Sequence, residues 1–253
     1  MDRAWRLTAT GFAFALIFGG GSVAALTILP FVVGWKLTGS ASHRNAQYAI
    51  HVFFRFYVNL LQWLGLIRLQ VEGLEVLLRS RGQLIVANHP TLLDVVLLMA
   101  LLPRAQCIVK HELWHNRYLG GIVRLAGYIP NNLDAPALLT ACKTAIESGD
   151  NIIVFPEGTR TQPGKFPKFQ RGFANIALLT AANIQLITIT CAPLTLTKGE
   201  PWWRIPSHRP HFRVVVGDNL NAQDLLRRQE RPLAARALVR QLETYYGEHL
   251  AAG

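Results

Sequence analysis

The sequence predicts an α/β domain, a mixed and mostly parallel sheet flanked by helices, with a hydrophobic helical membrane anchor at its amino end. Three observations predict it. From residue 67 onward, short apolar runs alternate with helical patterns, the signature of strands connected through helices on both faces of a sheet. Two of those runs, Leu84–Ala87 and Ile152–Phe155, stop in turns rich in proline and polar residues, the sheet end where open α/β folds keep their chemistry. Before residue 67 the chain changes character, because residues 7–35 carry no charged side chain. Such a stretch is long enough to cross a bilayer core of roughly 30 Å.

Composition agrees. The chain has 253 residues, of which 51% are hydrophobic and 16% charged, against about 25% charged in a soluble domain. The formal net charge is +11. A basic chain attracts nucleic acid, anionic headgroups, acidic carrier proteins or phosphorylated ligands. The apolar excess favours the lipid options, and no nucleic-acid reading motif is present, so membrane lipids are expected as partners and nucleic acid is not. Cys107, Cys142 and Cys191 are widely spaced with no Cys-x-x-Cys; they read as small buried hydrophobes, which a reducing compartment suits.

In order along the chain, residues 1–66 form the expected anchor and residues 67–253 the expected globular domain. Within the anchor, Gly19-Gly20-Gly21 and Pro30 interrupt the apolar stretch, so spanning and re-entry both stay open. Arg3 and Arg6 precede it while Lys36, Arg44 and Arg55 follow, and the positive-inside rule gives no orientation. Residues 43–67 read as an aromatic-rich interfacial helix with rings at headgroup depth, or as a helix packed on the globular domain. Strands are expected at Ile67–Val71, Leu84–Ala87, Gln106–Val109, Ile152–Phe155, Leu186–Cys191 and Phe212–Val216. Helices are expected at Leu92–Leu102, Arg117–Leu125, Pro136–Ser148, Phe173–Ala182, Ala222–Gln229 and Leu233–Tyr246. The last stretch is basic, with eight arginines between Arg204 and Arg240. It reads as a solvated helix face or as a dock for an acidic carrier or anionic membrane.

The chemistry concentrates in two turns. Asn88-His89-Pro90-Thr91-Leu92-Leu93-Asp94 follows the second strand. If His89 sits in the turn and folds back on the helix start, Asp94 fixes its tautomer and His89 acts as a general base. Thr91 and Asp94 also read as a capping box, and a carboxylate at a helix start can serve both purposes. Phe155-Pro156-Glu157-Gly158-Thr159-Arg160 follows the fourth strand. Gly158 permits close backbone approach, Thr159 offers a hydroxyl and Arg160 a fork for phosphate or carboxylate. Lys165, Lys168 and Arg171 precede the next helix, where cations beside a helix start make a phosphate site. The alternative is a solvated basic loop with a local Glu157–Arg160 pair. His111-Glu112-Leu113-Trp114-His115 matches the zinc-protease pattern, but no third ligand suggests itself. No Gly-x-Ser-x-Gly elbow is present.

Asn-His-x4-Asp followed about seventy residues later by Phe-Pro-Glu-Gly-Thr-Arg resembles the 1-acyl-sn-glycerol-3-phosphate acyltransferase family over roughly residues 67–220. The resemblance implies the glycerolipid acyltransferase fold. It implies an acyl carrier protein or acyl-CoA as thioester co-substrate and a lysophosphatidic-acid-like acceptor, with no further cofactor or metal. It assigns His89 and Asp94 to catalysis, and Glu157, Gly158, Thr159 and Arg160, with Lys168 and Arg171, to the acceptor. It also implies the bacterial inner membrane, with the site on the cytoplasmic side. Lys110-His111-Glu112-Leu113 resembles the family's Lys-x-Glu-Leu. Two departures stand out. The family's Gly-x-x-Phe-x-x-Arg block is replaced by Gly127-Tyr128-Ile129-Pro130-Asn131-Asn132-Leu133, without the phenylalanine or arginine. Gln170 stands where a lysine is common. With Leu196–Pro206, which resembles a branch associated with lipids such as aryl polyenes, these departures raise a non-standard acceptor. A membrane-facing loop carrying Trp202 and Trp203 explains the same segment. A non-catalytic lipid-binding protein on the same fold is the remaining alternative.

Overall fold

A computed structural model of the protein describes residues 3–20, 40–162, 164–165, 167–227 and 229–251. The expected anchor stretch 7–35 falls partly outside these. Its described part is α1 (Arg3–Ala15) continuing into a π-helical turn at Leu16–Gly20. α2 (Ser40–Trp63) then leads to β1 (Arg68–Glu72). Among the described residues no helix is long and apolar enough to cross a membrane.

The domain that follows runs α3 (Leu74–Arg79), β2 (Leu84–Ala87), α4 (Asp94–Leu101), β3 (Ala105–Val109), α5 (His111–Trp114), α6 (Gly120–Leu125), β4 (Ile129–Pro130), α7 (Ala135–Glu147) and β5 (Asn151–Val154). It ends with α8 (Gly172–Thr180), β6 (Asn183–Ala192), β7 (His211–Asn221), α9 (Ala222–Leu226) and α10 (Arg231–Ala251). One sheet has the order β1-β7-β6-β2-β5-β3-β4, and every pair in it is parallel except β6 with β7. The mixed, mostly parallel sheet is the one the alternation implied. β6 and β7 run longer than the expected segments because they pair with each other along nearly their whole length, through one irregularity between Gln185 and Ile187.

The strands at the centre are apolar throughout because both faces are covered. Ile85, Ala87, Ile153 and Ile189 face a core shared with α1, α2 and α4. Leu84, Val86, Ile152 and Leu186 face the core under α7, α8 and α10. α4 is buried nearly all round, which is why its residues Val96 to Ala100 carry no polar stripe. At the start of α7, Asp134 accepts from the Ala137 amide at 2.8 Å, and Pro136 sits in the first turn, where its missing donor is not needed.

The described parts of the first 66 residues, expected as an anchor, pack against the rest of the fold. Ala46, Tyr57, Val58 and Leu61 on α2 and Ala9 and Ala13 on α1 join the core. The Tyr57 hydroxyl donates to Ala13 O at 3.1 Å, and Gln47 Nε2 donates to Asp150 Oδ2 at 2.9 Å. The outer face keeps its apolar character: Tyr48, Val52, Phe56 and Trp63 on α2 and Trp5, Leu7 and Phe12 on α1 are exposed. The 193–210 connection closes over the inner side. Trp202 stacks on Phe14 at 5.6 Å, and Arg6 donates to the carbonyls of Ser207 and His208.

Tyr246 on α10 is fully buried, and its hydroxyl lies 2.8 Å from Val86 O and 3.1 Å from Ile187 O, joining β2 and β6 from below. Tyr246→Phe removes that donor without changing shape. The expected cost is about 1 kcal/mol, a fall of about 2–4 °C in the thermal midpoint for a domain of this size, read by thermal denaturation.

Candidate active site

The turn after β2 is held from three directions. Asn88 is buried and continues the strand ladder with its side chain. Its Nδ2 donates to Ile189 O at 2.8 Å, and its Oδ1 accepts from the Ile189 amide at 2.7 Å. The His89 amide donates to Glu157 Oε1 at 2.8 Å, and the Thr161 amide donates to His89 O at 2.8 Å. Both peptide groups of the histidine are therefore gripped by the turn after β5, leaving the side chain as the free variable.

That side chain folds back as the sequence required. His89 Nδ1 lies 2.8 Å from Asp94 Oδ2. The same carboxylate accepts from the Thr91 amide at 2.7 Å and the Thr91 hydroxyl at 2.6 Å, while the Leu93 amide donates to Thr91 Oγ1 at 3.2 Å. One carboxylate thus ties Thr91 to the start of α4 and holds the His89 ring. α4 begins at Asp94, not Leu92, because residues 91–93 form this turn. Asp94 is fully buried. Burial pushes its pKa up, opposed by the hydrogen bonds from His89 and Thr91. A carboxylate accepting at Nδ1 leaves the proton there and the lone pair on Nε2. The ring is 16% exposed and stacks on Phe155, centroids 4.3 Å apart at 28°. Packing thus sets its second rotational coordinate.

Glu157, expected at the acceptor, also holds the backbone of the turn that bears His89. It is buried, with Oε1 on the His89 amide and Oε2 taking a short hydrogen bond from the Thr161 hydroxyl. Burial pushes its pKa up, with the Asp94 charge adding to the effect and the bonds from Thr161 and His89 opposing it. A carboxyl whose folded pKa lies above its unfolded value adds stability at low pH, and that contribution is lost as pH rises through the folded value. Glu157→Gln should remove this slope. Its thermal midpoint is expected to match or exceed the parent's at pH 8 and to fall below it near pH 4. Glu157→Ala leaves the His89 amide and Thr161 without an acceptor and should cost about 1–3 kcal/mol at either pH.

Gly158 has φ +67°, and a Cβ there would lie 2.6 Å from Gln170 Nε2. The group that approaches this backbone is thus the Gln170 side chain. Arg160 makes no ion pair with Glu157. Its Nη1 donates to the carbonyls of Leu196 and Thr197, both at 2.9 Å, and the Leu92 amide also reaches Leu196 O at 3.1 Å. Arg160 therefore ties the 193–210 connection to the turn that bears His89. It also lines a cavity of about 520 Å³ with Glu157, Thr159, Thr161, Lys165, Lys168 and Lys198. Arg171, expected beside it, precedes α8 and is outside that lining. Lys198, expected beside Trp202 and Trp203 on a membrane-facing loop, reaches this lining from the distant 193–210 connection. Asn88, Phe155 and Thr161 went unassigned; the run Leu84–Asn88 and the adjacency of Phe155 to Glu157 were the available signals.

The zinc-like motif lies on α5, a single exposed turn with the His111 and His115 rings 4.4 Å apart. Among the described residues no group of three or more His, Cys, Asp or Glu is placed to hold a metal. In the middle block, Tyr128 and Ile129 are buried, and Asn131 Oδ1 accepts from the His111 amide at 3.0 Å. The three cysteines are buried and free.

A histidine held by a buried acid at the carboxyl end of a parallel sheet, beside a cationic cavity and without a serine elbow, has the layout of an acyl-transferring enzyme. The chain belongs to the acyltransferase family, whose model matches residues 68–195, and curated relatives are named 1-acyl-sn-glycerol-3-phosphate acyltransferase. The protein of that name from Pseudomonas aeruginosa is 24% identical over 94% of this chain and 86% of its own length. The one from coconut is 27% identical over 59% of this chain and 48% of its own. The one from Helicobacter pylori is 37% identical over 41% of this chain and 46% of its own. The chain spans about half or less of the length of the coconut, Arabidopsis and Helicobacter relatives. The crystal structure of the 1-acyl-sn-glycerophosphate acyltransferase PlsC from Thermotoga maritima superposes with a TM-score of 0.75 at 21% identity, covering 100% of this chain and 99% of that one. The two share a fold.

Proposed function

We propose that the protein transfers a fatty acyl group from an acyl carrier protein or acyl-CoA thioester to a hydroxyl of a lysophosphatidic-acid-like acceptor. The observation that carries this reading is the 2.8 Å His89–Asp94 pair on a turn tied directly to the cationic cavity through Glu157 and Thr161. His89 Nε2 takes the acceptor hydroxyl proton as that oxygen bonds to the thioester carbonyl carbon. The tetrahedral intermediate then collapses, the carbon–sulfur bond breaks, and the thiolate recovers the proton from Nε2. Asp94 stays ionised and stabilises the imidazolium in between. Lys165, Lys168 and Lys198 hold the acceptor's phosphate, with Arg160 shaping the wall.

The acyl chain is assigned to the mostly apolar slot between α1, α2 and the 193–210 connection, lined by Ala13, Phe14, Tyr57, Leu93, Leu196 and Trp202 among others, which at about 50 Å³ must widen to take it. Leu93 and Leu196 bring its inner end to the His89 turn. The exposed aromatic faces of α1 and α2, with Trp203, seat the protein at a lipid surface. The intended setting is the cytoplasmic face of a bacterial inner membrane, where thioester donors are made. The middle block, without its arginine, favours a second reading in which the acceptor departs from lysophosphatidic acid and the lysines alone read its anion.

The test uses the purified full chain in detergent micelles. Radiolabelled acyl carrier protein and acyl-CoA donors are offered with a panel of lysophospholipids and other hydroxylated amphiphiles. A labelled diacyl product from an anionic lysolipid is expected. Absence of any acylated product across the panel would sink the reading and favour a lipid-binding protein.

A further inference from the structure

We propose a second anion-binding cavity, built for a phosphate-headed amphiphile and separate from the acyl-transfer site. It has a volume of about 430 Å³ and lies beneath the β3–β4 edge, between α2, α6 and α7. That volume is typical of small-molecule sites.

Strand direction separates the two sites. β3 and β5 are parallel. Arg104 and Asp150, on the lining of this cavity, precede those strands, whereas Glu157 follows β5. Its polar floor is thus at the amino ends of the strands and His89 is at the carboxyl ends, so a ligand on that floor sits away from the reacting atoms.

The charge of the lining selects an anion. Arg44 from α2, Arg104 and Arg124 from α6 contribute three guanidiniums, and His43 an imidazole. One carboxylate faces them, and it is fully engaged. Asp150 accepts from Arg104 Nη2, Gln47 Nε2 and Gln106 Nε2, each at 2.9 Å. Arg124 donates to Trp114 O at 2.7 Å. Among the described residues neither Arg44 nor Arg124 has an ion-pair partner. Arg104 is fixed by Asp150 and Ser148 O, and its Nε is buried without a partner among the described residues. A cation would be repelled here, and a neutral apolar guest would desolvate guanidiniums without compensation. Guanidinium forks suit the oxygens of a phosphate.

The remaining walls select an amphiphile. Trp114, Tyr128, Ile129, Leu133 and Ala141 give the cavity an apolar side. Leu133 ends the block from which the family's arginine is missing. Gly127 completes the shape: with φ +74° and His43 Nδ1 only 2.8 Å from where a Cβ would stand, it lets the start of α2 close against the β4 turn.

The test titrates the full chain in micelles with dihexanoyl phosphatidic acid, dihexanoyl phosphatidylcholine and inorganic phosphate, by calorimetry. The parent, Arg44→Gln/Arg124→Gln and Lys165→Gln/Lys168→Gln proteins are compared. Phosphatidic acid is expected to fill two sites in the parent. The arginine pair should weaken one of them at least about tenfold, the effect of losing charge-assisted hydrogen bonds, and leave acyl transfer to a lysolipid unchanged. The lysine pair should weaken the other site and lower transfer. Should the arginine pair bind as the parent does, the second cavity is refuted while the acyl-transfer reading stands. Inorganic phosphate binding there as tightly as the lipid, or phosphatidylcholine doing so, would overturn the amphiphilic-anion class. A readout free of mutation is amide hydrogen exchange of residues 126–131 in the parent, which phosphatidic acid should slow; unchanged exchange also refutes the site.

Discussion

His89→Ala is expected to lower kcat for acyl transfer by between about a hundredfold and ten-thousandfold, the range that a positioned general base contributes, while the fold survives. Survival follows from how the turn is held. Glu157 and Thr161 grip the amide and carbonyl of His89, and Asn88 anchors the preceding residue; none of these contacts uses the imidazole. Asp94 keeps both bonds from Thr91 and loses one donor, at a cost of about 1–2 kcal/mol. Single-turnover acyl transfer beside a thermal melt separates the outcomes. A variant that folds and transfers at the parent's rate would remove His89 from the chemistry.

Asp94→Asn should cost nearly as much, for a different reason. The amide is isosteric, but Oδ2 serves both the Thr91 amide and His89 Nδ1, so the oxygen keeps that place. The nitrogen then faces the Thr91 hydroxyl, which must turn from donor to acceptor. His89 keeps its acceptor at Nδ1 and loses the negative charge that stabilises its imidazolium. A fall of at least about a hundredfold in kcat is expected, within the range of a positioned general base, with a small change in KM. The stacked Phe155 holds the ring orientation. Nitrogen-15 spectra of labelled histidine should show the neutral ring still protonated on Nδ1. A variant that transfers at the parent's rate would remove the charge of Asp94 from the mechanism.

What could be read from the chain and what could not follows the distance over which each decision is made. His89 and Asp94 lie five residues apart, and the proline and threonine between them encode the turn locally, so the pair was legible. The strands around them were equally clear, because four apolar residues in a row between turn signals leave few choices. α3 and β4 were missed: a six-residue helix begun by a left-handed Gly73 and a two-residue strand carry too little periodicity. The contacts around the cationic cavity were less legible. Arg160 finds its carbonyls 36 and 37 residues away and Glu157 finds the His89 amide 68 residues back; nothing adjacent in sequence announces either. The same nonlocality exchanged Arg171, close in sequence and outside the cavity, for Lys198. The aromatic helix 43–67 turned out to have two roles at once: one face joins the core and the other stays exposed, a division visible only once its partner α4 is placed.

The long reach of Asn88 has a consequence for synthesis. Its partner Ile189 is 101 residues further along, and the β6 to which that residue belongs is the immediate neighbour of β2. A ribosome that has delivered His89 and Asp94 has therefore delivered an unfinished pair, open to water on the side that β6 will close. Fragments ending before about residue 190 should show no acyl transfer even though they contain both groups.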